Sequence, residues 1–192
     1  MSLFAKLFGL AGHSQAQSKP SLSVTIHAEG DVQKYFALLE LIQGYQAKRQ
    51  YDQMLDACAR SLPLLGPLVR HWNREFGKFE VCSIPAIEVG CRYWAALNDI
   101  VALKLVTQTI QQIPELREGW AGIVNVAYED AALATAIQDW VMKNPGVLQN
   151  KIGKHLNVPG KDTASLINTL ANLGRIVRVQ SGKTYELHNV AQ

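Results

Sequence analysis

The sequence predicts a mainly α-helical chain: a bundle of paired, repeat-like helices followed by a smaller module of three helices and a β-hairpin. Three observations carry this expectation. Apolar residues recur at three- and four-residue spacing over most of the chain from Asp31 to Leu173, which is the period of helices with one buried face. Proline and glycine punctuate that pattern where helices should end. Charge also divides unevenly: seven basic against three acidic residues lie from Ala131 onward, and twelve against thirteen before it. The divisions expected are therefore 1–30, a tail and linker; 31–128, a helical domain; and 129–192, a small basic domain.

Composition narrows the class. Hydrophobic residues make up 48% of the 192 and charged residues 18%, enough apolar surface to build a core and too little charge for a disordered chain. No run approaches the roughly eighteen apolar residues of a membrane helix, so a cytoplasmic protein is expected. Cys58, Cys82 and Cys91 lack CxxC spacing and read as small packing residues in a reducing compartment.

The start, MSLFAKLFGL, sets Leu3, Phe4, Leu7 and Phe8 at helical spacing with Lys6 opposite. One basic residue gives little attraction to a membrane surface, so a tail is the first reading and a membrane- or partner-docking helix the lesser one. AGHSQAQSKPS follows as a linker, and LSVTIH as a short strand without an evident partner. Asp31 is expected to cap a helix with Tyr35, Leu38, Leu39, Ile42 and Tyr45 on one side. A second helix near Tyr51 carries Met54, Leu55, Cys58 and Leu62 and ends in the region of Pro63 and Pro67. A third, over residues 68–79, carries Val69, Trp72 and Phe76.

Helices over residues 86–97 and 100–113, with a tight Asn98–Asp99 turn between them, come next. Gly90 lies three residues before Tyr93, Ala102 nine after it, and Pro114 twelve after Ala102. This spacing resembles a tetratricopeptide repeat, in which a small residue lets paired helices approach and a proline closes the second. Trp120 then falls where a following repeat would place its first large residue. Tyr45 and Tyr93 are 48 positions apart, against about 34 in that family, so the repeat here is degenerate and an extra helix near Trp72 intervenes.

After Glu129–Asp130, expected to cap the next helix, ALATAIQDWVMKNPG places Leu133, Ile137, Trp140 and Val141 inward. VLQNKIGKHLNV gives a second helix through Leu148, Ile152 and Leu156. Asp162 is expected to cap a third, with Leu166, Ile167, Leu170 and Leu173 inward and Gly174 ending it. RIVRVQ and KTYELH then flank a two-residue Ser181–Gly182 loop. In that register Ile176 opposes Leu187, and Arg178 opposes Tyr185. Three helices and a hairpin over residues 131–190 resemble a winged helix-turn-helix. LANLGRIVR, in which Leu170 precedes Gly174 by four and Arg175 follows it, is similar to the corresponding run of the MarR type.

The resemblance implies that the third helix enters the major groove of double-stranded DNA and that the hairpin lies along the backbone. Its outward residues would be Lys161, Asp162, Ala164, Ser165, Asn168 and Thr169. No Lys or Arg occurs from Asp162 to Gly174, which departs from the family pattern and leaves guanine without its strongest reader. Asn168 would read adenine, and Ser165 and Thr169 would reach phosphates or bases. Lys151, Lys154, Arg175, Arg178 and Lys183 surround that helix as phosphate contacts. The expected function is thus a non-enzymatic DNA-binding regulator or accessory factor, with the helical domain for self-association or partner binding. The alternative is an interaction scaffold whose small domain meets protein.

Catalytic chemistry is not legible. His13, His27, His71, His155 and His188 are scattered without metal-ligand spacing, and no nucleophile elbow, phosphate loop or dinucleotide fingerprint occurs. A thiol site of Cys82 and Cys91 near His71 is the weakest of the readings, and no catalytic residue, metal, cofactor or small-molecule substrate is expected.

Overall fold

The computed structural model describes residues 30–80 and 83–190, so the N-terminal tail and the LSVTIH strand lie outside the described residues. The chain is mainly helical with a small antiparallel sheet near its C-terminal end. No helix among the described residues is long and apolar enough to cross a membrane.

Helix α1 (Gly30–Ala47) begins two residues earlier than a cap at Asp31 implies, so Asp31 sits inside the first turn and is not its cap. There it favours the helix dipole and accepts a 3.2 Å ion pair from exposed Lys34. Helix α2 (Tyr51–Ser61) passes through one 3₁₀ turn (Leu62–Leu64) directly into α3 (Leu65–Phe76). The α-helical run of α2 thus ends just before Pro63, as expected, but no loop separates it from α3. Pro63 and Pro67 each stand in a first turn, where proline's missing N–H has no partner to lose. Phe76, expected to face inward, is exposed, and Phe79 is buried in its place.

The next pair matches the expected spans: α4 (Pro85–Ala96) and α5 (Ile100–Gln112). Asn98 adopts the left-handed conformation (φ 54°) that reverses the chain, and the Asp99 carboxylate accepts from the Ala102 N–H at 3.0 Å. Tyr51 of α2 stacks on Tyr93 of α4 at 5.1 Å. Gly90 differs from expectation. A Cβ there would lie 2.4 Å from Cζ3 of Trp94, one turn along the same helix. The glycine makes room for that buried indole, so the contact nearest to it lies within its own helix.

A single helix, α6 (Pro114–Lys143), carries the chain through the expected boundary near residue 129. Glu129 and Asp130 consequently sit in mid-helix and cap nothing. Along α6 the core changes hands. Leu116, Trp120, Val124, Ala127 and Ala131 pack with α1–α5, whereas Ala134, Ile137 and Val141 pack with the C-terminal elements. Ala96 of α4 belongs to the second cluster and Leu173 packs against both, so the two cores touch.

Past α6, Gly146 (φ 84°) turns the chain into β1 (Val147–Leu148). Leu148, expected in a helix, is thus in a strand, and the expected two-stranded hairpin is a three-stranded sheet of order β1-β3-β2. Helix α7 (Gln149–Leu156) and helix α8 (Gly160–Asn172) follow, then β2 (Ile176–Ser181) and β3 (Thr184–Asn189). Pro159 is the N-cap of α8, leaving Asp162 in its first turn. Gly174 (φ 65°) closes it, with the Arg175 N–H donating to the Leu170 carbonyl at 2.8 Å.

The β2–β3 register differs by two residues from expectation. Ser181 pairs with Thr184, so Gly182–Lys183 is the turn, and Ile176 pairs with Asn189, Arg178 with Leu187 and Gln180 with Tyr185. The physical reason is Gly182. Its φ of 60° suits the first central position of a primed turn, where only glycine is free of strain. A shift of two keeps every side chain on its face, and Ile176 and Leu187 remain buried.

Candidate nucleic-acid interface and the adjoining cleft

Helices α7 and α8 are joined by a tight turn that depends on Gly153. Asn157 is left-handed (φ 54°), and the Val158 N–H donates to the Gly153 carbonyl at 2.8 Å. A Cβ on Gly153 would stand 2.7 Å from the Val158 oxygen, so that backbone would have to shift, and a tight 3.2 Å from the Gly160 Cα. This position went unread in the sequence, although a glycine inside a helical pattern is itself a signal of close backbone approach. On the outer side, His155 stacks on Trp140 at 4.8 Å and ties α7 to α6.

The proposed contact residues divide into three sets. Lys151, Lys154, Lys161, Ser165, Asn168, Arg175 and Lys183 are exposed. None of those four lysines, nor Arg175, forms an ion pair among the described residues. Lys161, Ser165 and Asn168 share the open face of α8, at spacings of three and four. Arg178 forms the second set. Its guanidinium carbon lies 3.9 Å above the Tyr185 ring, and its Nε donates to Gln149 Oε1 at 3.1 Å. These contacts bind the hairpin to the start of α7, so Arg178 serves the fold before any phosphate. Tyr185 was expected opposite Arg178 and is its diagonal neighbour.

Thr169 is the third set and a correction. It is buried, and its hydroxyl donates to the Ser165 carbonyl at 3.2 Å, so it is not presented to a nucleic acid. The side of α8 carrying Asp162, Leu166 and Thr169 faces a cleft of about 780 Å³ shared with α4 and α6. Glu88 and Arg92 line it from α4, and Glu129 and Asp130 from α6. Burial holds the Asp130 carboxyl above its ordinary pKa, with Asp162 and Glu129 pushing the same way and Arg92 opposing them.

Cys91 also lines the cleft, but burial pushes its thiol up to about 12, and that of Cys58 likewise. Both are protonated near neutral pH and are poor nucleophiles. Cys82 lies outside the described residues. The described residues contain no group of three His, Cys, Asp or Glu side chains placed to hold a metal ion. No family model, curated protein or solved structure matches the chain.

Proposed function

We propose that residues from about 131 to 190 act as a winged helix-turn-helix that binds duplex nucleic acid mainly through its phosphates, with weak discrimination between sequences. The carrying observation is the free lysine rim: Lys151, Lys154, Lys161 and Lys183 are exposed and unpaired among the described residues, around a helix whose open face offers Ser165 and Asn168. Lysines in this state bring condensed counterions into play, and releasing those ions on binding supplies affinity without reading bases. Discrimination rests chiefly on Asn168, in the middle of the open face of α8, a helix that has no arginine to pair with guanine. In this reading α1–α5, with the tetratricopeptide-like pair α4–α5, serve self-association or partner binding.

The test is binding of a labelled random duplex to the full chain over a salt series. Each phosphate contact adds about 0.9 to the slope of log affinity against log salt, so Lys154→Ala with Lys183→Ala should lower it by about two. Asn168→Ala should leave the slope and erode preference between duplexes. An absence of salt-dependent binding at low ionic strength overturns the proposal. A protein-facing reading would then lead, with one observation on its side: Val177 and Val179 stand exposed on β2, an edge strand of the sheet.

A further inference from the structure

The cleft between α4, α6 and α8 has a composition that neither reading above uses. Its wall on α6 runs from Ile123 to Leu133, eleven residues or about 15 Å of helix. Val126, in the middle of that wall, is 54% exposed, and Ile123 and Leu133 are only partly covered. Four carboxylates, from Glu88, Glu129, Asp130 and Asp162, face one guanidinium, that of Arg92. Glu88 accepts from Ser83 Oγ at 2.8 Å, and among the described residues no ion pair reaches Glu129, Asp130 or Asp162.

We propose that this cleft docks a cationic, aliphatic segment of a partner polypeptide, lying along α6 with its apolar side on Ile123, Val126 and Leu133 and its lysines or arginines toward Glu129, Asp130 and Asp162. Charge complementarity selects the occupant. The carboxylates repel the phosphates of a nucleic acid, and their surplus over Arg92 awaits positive charge. Length selects a polypeptide: three turns of apolar wall with carboxylates on two sides suit an amphipathic helix, which repeats aliphatic and charged groups at the same rise. Asp130 carries the same sense, since a cation beside a desolvated carboxylate favours its charged form. Because Asp162 and Ser165 belong to α8, an occupant would touch the helix whose open face is assigned to nucleic acid.

The experiment is an anisotropy titration of the full chain with a fluorescein-labelled amphipathic peptide of Lys, Leu and Ala, and with its Lys-to-Glu counterpart. The lysine peptide should bind and the glutamate peptide should not. Glu129→Gln with Asp130→Asn should weaken binding at least about tenfold, and Val126→Gln should weaken it independently, whereas Lys154→Ala with Lys183→Ala should have no effect. Amide exchange should slow at residues 123–133 and 158–166 on binding. No binding, equal binding to the carboxylate variant, or protection elsewhere overturns the proposal. Displacement of the peptide by spermidine at matched charge assigns the cleft to small polyamines and overturns the polypeptide occupant.

Discussion

At the scale of single residues, Asp130 has a consequence for pH dependence. Its pKa is raised in the folded chain, chiefly by burial and then by Asp162 and Glu129. A carboxyl whose folded pKa exceeds its unfolded value binds its proton more tightly in the folded state. Its contribution to stability is therefore complete below the unfolded value, about 3.9, and is lost as pH rises through the folded one. Asp130→Asn should accordingly raise the melting temperature at pH 7 and leave it nearly unchanged at pH 3. A rise of equal size at both pH values would show that charge is not the cause. Glycines give a second pair of outcomes. Gly153→Ala should cost about 1–3 kcal/mol in chemical denaturation, because the Val158 carbonyl must move to admit the methyl. Gly119→Ala, at an exposed site on α6 with nothing within 4 Å, should stabilise by about 0.5–1 kcal/mol.

At the scale of elements, α4 and α6 depart furthest from a simple repeat. Gly90 and Trp94 are four apart on α4, and the indole occupies the space that a side chain at 90 would need. Gly90→Ala should push the buried indole outward, costing on the order of 1–3 kcal/mol and shifting tryptophan emission. Unchanged emission and stability would mean that the indole moves freely. The length of α6 has a clear physical cause. Pro114 starts it at N1, and no proline or second breaker intervenes before Asn144–Pro145, while Gly119 and Gly122 cost only about 1 kcal/mol each against Ala. An acidic pair such as Glu129–Asp130 resembles a helix start, but nothing in it terminates the helix already running.

For the whole molecule, the question is whether two cores behave as one. Helix α6 runs through both, Ala96 crosses from α4 into the second, and Leu173 touches each. A single cooperative transition is expected in calorimetry, with calorimetric and van't Hoff enthalpies equal. Two resolved transitions would show that residues beyond about 129 unfold independently. A fragment starting at 129 would lose the first half of α6 and the α4 contact at Ala96. It should be much less stable than the same residues within the full chain, since so small a core buries little surface alone.

Read alone, the chain determines its helices, their apolar faces and the charge asymmetry, because periodicity, proline and glycine act within a few residues. The α4–α5 pair, the closing glycine of α8 and the inward set Ile137, Val141, Ile152, Leu166, Ile167 and Leu170 were all legible on that basis. Much of the candidate interface was legible too, since exposed lysines follow from the same faces. Tertiary structure decided the rest. Strand β1 has two residues, too few for any alternation, and exists only because β3 offers it partners. The β2–β3 register turned on which of two adjacent positions the glycine takes in the turn. Thr169 was hidden by α8 packing toward α4 and α6, and Arg178 was held by a ring and an amide that other elements bring to it. The cleft itself gathers carboxylates from positions 88, 129, 130 and 162, and only the packing of three helices sets them around one apolar wall.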